Sequence, residues 1–511
     1  MVPLNGLIRW ARRRARALAP LAALALVSGC AVGPNFRRPA APALADYARP
    51  SLAAKTASVD VAGGADQRFV RDQEIPHRWW TLFESPPLNA LIEKALNASP
   101  TVVAAQAALR QARELVHAQQ GAFYPTVQAN FSASRQKASN ALSPPLSTDQ
   151  LTYNLYTTQG TLSFTPDVFG GNRRQVESLR GLADSQRFQV QAAYLTLTSN
   201  LASAAIQEAS LRGQLAATYE IVDINTKSLE LVRRQFELGA VARLDVAAQE
   251  AALAQVQQTL PPLQKQLEQT RNLLTALSGR LPSDEPEEKF ELAALRLPHD
   301  LPVGVPSTLV EHRPDVRAAE AQLHAASAQI GVALANRLPQ FTIIGTGGGV
   351  STMFTQMFTA GNQFWSILGN AAQTLFDGGT LLHQQRAAEA AFEQAAAQYR
   401  STVISSFQDV ADALYALQAD AEALRAAVAA EQATKVTLDL TLAAQRLGAV
   451  NYLALLSAQQ AFQQALLTRV QAQANRLSDT VALFQALGGG WWNADGEAAY
   501  VPVRRLTGRD E

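Results

Sequence analysis

Residues 99–125, SPTVVAAQAALRQARELVHAQQGAFYP, align without a gap to residues 313–339, RPDVRAAEAQLHAASAQIGVALANRLP, at an offset of 214. Pro100 meets Pro314, Leu109 meets Leu323 and Pro125 meets Pro339. Farther on, DVFGGNRR at 167–174 faces TLFDGGTLL at 374–382, and ELGAVARL at 237–244 faces RLGAVNYL at 446–453. The order of segments is the same in both halves. A chain of 511 residues, which length alone would divide into about three domains, is therefore a tandem duplication.

Each half reads helix, strand, loop, strand, very long helix, tight turn, long helix. Pro100 and Pro314 stand at a first helical position, where the missing N–H costs nothing. After Pro125 the period changes to two: Val127, Ala129, Phe131 and Ala133 alternate with Thr126, Gln128, Asn130, Ser132 and Ser134. Tyr156, Leu162 and Phe164 alternate likewise with Thr157, Gln159, Thr161, Ser163 and Thr165. Strands of about 10 residues, apolar toward lipid and polar toward a lumen, suit a transmembrane barrel, although a half-buried soluble sheet has the same alternation. The second half supplies strands near 339–350 and 363–376. GTGGGV at 345–350 lacks the third glycine and the lysine of a phosphate loop and reads as strand.

From Asn172 to about Leu238, and from Leu381 to Leu447, there is no proline and little glycine. At about 1.5 Å per residue each is a helix of roughly 100 Å. Val403, Phe407, Val410, Leu414, Leu417, Ala421, Leu424 and Val428 step alternately by four and three, a coiled-coil seam. Val190, Tyr194, Leu197, Leu201, Ala204, Glu208, Leu211 and Leu215 repeat it. Glu208 breaks the apolar rule, which predicts a wet stretch of seam or a partner there. Gly239 and Gly448 each follow a leucine at a helix end, the position of a left-handed cap. The chain returns through 243–278 and 451–487, and Pro261-Pro262 predicts an interruption and a kink in the first return helix.

Before the first repeat, Arg9, Arg12, Arg13, Arg14 and Arg16 precede an apolar run from Ala17 to Val27 and then Val27-Ser28-Gly29-Cys30. The run is too short for a membrane helix, which needs about 20 residues, and has the layout of a secretory signal. Its end resembles a lipobox, at which cleavage makes Cys30 the lipidated first residue of the mature chain. A plain signal peptide and a twin-arginine signal are the competing readings. Ala31 follows, with no aspartate to retain the protein at an inner membrane. Removing Met1 to Gly29 takes away five arginines and no acids, so net charge falls from +1 to −4; nucleic acid is not an expected partner. With no second cysteine, disulfides and thiolate metal sites are excluded. The chain thus divides into a signal peptide (1–29), an N-terminal extended segment (30–85), a first repeat (86–281), a proline-rich linker (282–306), a second repeat (307–488) and a C-terminal tail (489–511).

With these residues in hand the chain resembles the TolC-like outer-membrane efflux proteins, most closely the NodT or OprM-like lipoprotein branch. The likeness runs from Cys30 to about Leu487 and is carried by WWTLFESPPLNALI at 79–92, EHRPDVRAAEAQL at 311–323, LFDGG at 375–379 and LGAVNYLALLSAQQ at 447–460. It implies a mainly α protein with a membrane β-barrel: a homotrimer in which each chain gives four strands to a 12-stranded barrel, continued by an α-helical periplasmic tunnel. It implies an outer-membrane exit duct for drugs or other small molecules, working with an inner-membrane RND-type transporter and a periplasmic adaptor protein. No cofactor is implied beyond N-acyl and S-diacylglycerol groups on Cys30, which would sit in outer-membrane lipid. By the same resemblance the turns at 239–244 and 448–453 are the periplasmic mouth, and Leu453 matches a leucine ring that narrows it. Ser457 stands where relatives carry aspartate, which removes the charge of the second ring and leaves the hydrophobic constriction. Leu244 and Asp245 occupy the other turn, where Asp245 either compensates the positive end of a helix or takes part in gating.

Three rival classes remain. The six histidines, at 77, 117, 299, 312, 324 and 383, form no His-x-x-x-His pair and no nucleophile elbow accompanies them, which argues against an enzyme. A structural coiled-coil lipoprotein would lack the alternating strands. A metal-efflux or type I protein-secretion duct would share the fold; Met353 and Met357 are the only residues that point to metal, and both fall in a loop between strands, where they read as apolar loop-tip residues.

Overall fold

The computed structural model describes residues 31–42, 46–47, 53–71, 73–137, 139, 152–284, 288–303 and 306–493. The signal segment, Cys30, most of the loop expected at 139–153 and the tail beyond 493 lie outside the described residues. In chain order the elements are β1 (Arg68–Arg71), α1 (Pro86–Ala98), α2 (Pro100–Gln120), β2 (Thr126–Lys137), β3 (Thr152–Phe164), α3 (Gly171–Glu237), α4 (Arg243–Leu277), β4 (Asp300–Val303) and α5 (Pro306–His312), then α6 (Pro314–Ala335), β5 (Gln340–Ser351), β6 (Gln363–Ala372), α7 (Thr380–Arg446) and α8 (Tyr452–Ala486). Both α3 and α7 have 67 residues, and both α4 and α8 have 35, so the duplication is kept to the residue in its longest elements. Among the described residues no helix is long and apolar enough to cross a membrane.

The chain forms two compact units. The first takes residues up to Arg38 together with Leu109–Ser185 and Ala319–Tyr399. Its centre is an antiparallel sheet in the order β2-β3-β5-β6, so the second half continues the sheet begun by the first. The register sets Val127 beside Leu162, Leu162 beside Gly345, and Gly345 beside Ile367. Because side chains alternate across a strand, one face carries Val127, Phe131, Leu162, Ile343, Trp365 and Ile367, and the other Gln128, Asn130, Gln159, Thr161, Thr346 and Ser366. Val127, Trp365 and Ile367 are 74%, 78% and 74% exposed, so this face is apolar and bare in a single chain. Strand-to-helix turns are alike in both halves: Asp167 accepts from the N–H groups of Asn172 and Arg173, and Asp377 from those of Gly379 and Leu381. LFDGG is thus a helix N-cap, with Gly378 and Gly379 in the left-handed region. That turn begins early, with the Gln373 amide donating to the Arg337 carbonyl, and β6 accordingly stops at Ala372 short of the expected 376.

The first unit also holds the start of the described chain. Arg174 of α3 donates to the carbonyls of Val32 and Gly33, to the Asn35 side chain and to Glu177. Phe36 stacks on His324, which pairs with Glu177 at 3.0 Å. Gly33 lies against Gly331 so closely that a Cβ on it would sit 2.4 Å from the Gly331 Cα. The segment after Cys30 is therefore bound to the α3 and α6 helices.

The second unit takes Pro39–Ala108, Gln186–Ala318 and the chain from Arg400 onward. Its core gathers Trp79, Phe83, Leu88, Leu91 and Ile92 with Leu201, Leu417, Leu477 and Phe484. Each such side chain contributes about 1.5–3 kcal/mol on removal from water. Trp79 stacks on Phe484 at 5.4 Å, which explains the WWTLF motif as a core plug. Arg313 of the RPD motif donates to Asp315, Asp409 and the Ala486 carbonyl, tying the start of α6 to α7 and to the end of α8. The N-terminal segment and the linker meet where β1 and β4 pair in parallel. Arg476, fully buried, holds the same N-terminal segment through Thr56, Gly63 and Ala65.

Three expectations are corrected. The helix α4 runs through Pro261 and Pro262 without interruption. The carbonyls that lose their donors belong to Gln257 and Gln258, both exposed residues, so the lost helix bonds do not leave buried acceptors. Glu208 marks no wet seam: it is fully buried, and its Oε1 accepts from Arg212 at 2.8 and 2.6 Å. Burial raises its carboxyl above the ordinary range against the opposing pull of Arg212 and Arg271. Met357 is corrected as well, since it is buried at the sheet and is no loop-tip residue.

Candidate functional site

The two helix turns of the second unit are built alike. At the first, the Gly239 N–H donates to Phe236 O and the Ala240 N–H to Gln235 O; at the second, the Gly448 N–H donates to Gln445 O and the Ala449 N–H to Ala444 O. This six-to-one and five-to-two pair closes a helix on a left-handed residue, and φ is +71° at Gly239 and +70° at Gly448. Each return helix is then capped. Asn451 Oδ1 accepts from the Ala454 N–H, and Asp245 reaches back from the third helical position to accept from the Ala242 N–H at 2.9 Å. Asp245 thus has a definite local bond besides its favourable place at a helix N-terminus.

Leu244 and Leu453 are the second residues of α4 and α8, and they are 76% and 71% exposed. Leu238 and Leu447, just before the glycines, are more exposed still. Four leucines displayed at two turns are costly in water for a lone chain. Ser457, one turn beyond Leu453, is exposed and uncharged.

Behind these leucines lies a buried polar network that sequence reasoning missed. The Tyr452 hydroxyl donates to Gln249 Oε1. The Gln249 amide donates to Asn225 O at 2.9 Å and Asn225 Oδ1 at 3.0 Å, and Asn225 in turn donates to Ile221 O. Three helices, α3, α4 and α8, are joined at the residue next to Leu453. Burial pushes the Tyr452 phenol up, and the charge of Asp245 adds to it, so the two turns are also linked electrostatically. The only sequence signal was tyrosine in NYL; Gln249 lies in an Ala-rich and Gln-rich stretch that offers no contrast.

An exposed apolar sheet face, long helices in two like halves and helix turns fringed with exposed leucines are the features of an outer-membrane duct protein. The chain belongs to the outer membrane efflux protein family, whose model matches residues 91–280 and 305–489. It is 32% identical over 439 residues to the pyoverdine export outer membrane protein OpmQ of Pseudomonas putida, covering 84% of this chain and 92% of that one. It is 30% identical over 477 residues to the toluene efflux pump outer membrane protein TtgF of Pseudomonas putida, covering 91% and 95%. The solved outer-membrane channel OprN superposes with a TM-score of 0.80 at 27% identity, over 90% of this chain and all of that one. The protein is an outer-membrane channel of an efflux system.

Proposed function

We propose that three copies of this chain close one 12-stranded barrel, and that the resulting duct passively exports small molecules handed to it by a periplasmic adaptor and an inner-membrane RND-type transporter. The observation that carries this reading is the sheet order. Strands β2 and β6 are edges, and an open edge in lipid leaves a row of backbone groups unpaired, each at a cost of several kcal/mol. Pairing β6 of one copy with β2 of the next removes both edges. Leu375 and Phe376, over 90% exposed in one chain, would find cover in the same assembly.

Leu453 from each copy forms the apolar ring at the mouth, with Leu244 and Asp245 in the neighbouring turn. Such a ring blocks ions by excluding water. Cys30 carries the lipid anchor, and stable anchoring takes more than one acyl chain. The duct itself performs no chemical step in this reading.

Detergent-extracted protein should run as a heat-dissociable trimer, conduct in planar bilayers and carry acyl mass that Cys30→Ala abolishes. A monomer that neither assembles nor conducts would overturn the duct; a conducting trimer without acyl mass would overturn the anchor alone.

A further inference from the structure

The outward face of the sheet is not evenly bulky. Gly160, Gly345 and Gly347 share its parity and lie side by side in register, Gly160 against Gly347 and Leu162 against Gly345. Together they floor an apolar trough of about 410 Å³ walled by Val127, Leu162, Trp365 and Ile367. The backbone does not require glycine here: none of the three has positive φ, and a Cβ on any of them would meet nothing nearer than 3.9 Å. Their neighbours Gly348 and Gly349 differ, since a Cβ there would come within 2.1 Å of Thr158 O and 2.0 Å of Met357 O. What the floor glycines keep is the depth of the trough.

One end of the trough is closed. The Met357 carbonyl rests on Gly349, and Phe354 packs edge-on against Phe131 and Tyr156 of the same face at 6.0 and 5.9 Å. The other end leads over Ile343 to Phe341, whose ring lies 6.4 Å from that of Phe169. The Phe169 carbonyl accepts from the Val32 N–H at 3.0 Å, and Ala31 lies against Gly170. The described chain therefore begins at the open end of the trough, one residue after Cys30, and Arg174 fixes it there.

We propose that an acyl chain carried by Cys30 lies in this trough, so that the lipid anchor is a bound part of the sheet surface. The length fits. One leaflet is about 15 Å, half of a hydrocarbon core of ~30 Å, and the four steps from Phe341 to Gly345 cover about 13 Å at ~3.3 Å each. The proposal rests on lipidation of Cys30.

The test uses the complete trimer made in cells fed a fatty acid bearing a terminal diazirine and an alkyne. Intact mass first reports acylation; its absence overturns the anchor reading and this proposal with it. On acylated protein, irradiation should place the label on peptides containing Gly345–Gly347 and Trp365–Ile367, several-fold above other outward-facing peptides. Gly345→Leu/Gly347→Leu, which fills the floor, should move the label away while acyl mass and trimer persist. Should that variant not assemble, Trp365→Ala, which removes a wall, should spread the label. Even labelling of all outward strands in acylated wild-type trimer would overturn the trough and leave the anchor standing. Equal trough labelling in Cys30→Ala protein would show that bulk membrane lipid is the occupant, which also overturns the proposal.

Discussion

The hydroxyl of Tyr452 donates to the side-chain carbonyl of Gln249, joining the first residue of α8 to the second turn of α4 within a buried network. Removing the donor alone leaves the Gln249 oxygen buried and unpaired, at about 1–3 kcal/mol. Tyr452→Phe should therefore lower the thermal midpoint of the trimer and raise single-channel conductance. Adding Gln249→Leu, which removes the orphaned acceptor, should recover part of the midpoint but not the wild-type conductance. Identical conductance in wild type and Tyr452→Phe would show that the network does not hold the aperture.

Leu453→Ala should enlarge the mouth, raising conductance and sensitising cells to large antibiotics through a leaky outer membrane. Ser457→Asp, one turn further along α8, should shift reversal potentials toward cations and make conductance sensitive to divalent ions. If Leu453→Ala leaves conductance unchanged in an intact trimer, the constriction lies at Leu244 and Asp245.

The two cap glycines report on how alike the turns are. A side chain in the left-handed region costs about 1–2 kcal/mol, and nothing lies within 4 Å of a Cβ at either position. Gly239→Ala and Gly448→Ala should each destabilise by that amount through backbone strain alone. Denaturant unfolding of the two variants should give matching losses; a loss at only one turn would mean that contacts within the assembly, not the cap, set the cost.

Asp479 of α8 is raised from its ordinary 3.8 to about 7 by burial and by a hydrogen bond shared with Asp420 of α7. A raised acid holds its proton more tightly when folded, so its stabilising contribution is full below about 4 and is lost as pH rises through about 7. Thermal midpoints should fall between pH 5 and pH 8, and Asp479→Asn should flatten that fall and be the more stable protein at pH 8. A wild-type midpoint that is level across this range would rule out the shared proton.

The 67-residue helices, their caps at Gly239 and Gly448, and the alternation of Val127 to Ala133 were legible because each is a local pattern: absent proline, a leucine–glycine step, a period of two. The seam from Val403 to Val428 could be read for the same reason. Glu208 misled, because a charge in a seam reads as wet until Arg212, one turn on, is seen to pair with it inside the core. Pro261-Pro262 misled because whether a proline pair ends a helix depends on what its freed carbonyls face.

The duplication, the helix lengths and the two-faced strands were therefore determined by the sequence itself, since each depends on residues a few positions apart. Only the tertiary structure decided that Gln249 meets Tyr452 across 203 positions, that β1 pairs with β4, and that the glycines of β3 and β5 align into one trough. Those pairings depend on register between segments far apart in the chain. No periodicity within a segment encodes register; packing selects it, because a strand shifted by one residue would turn Val127 and Phe131 to the polar face.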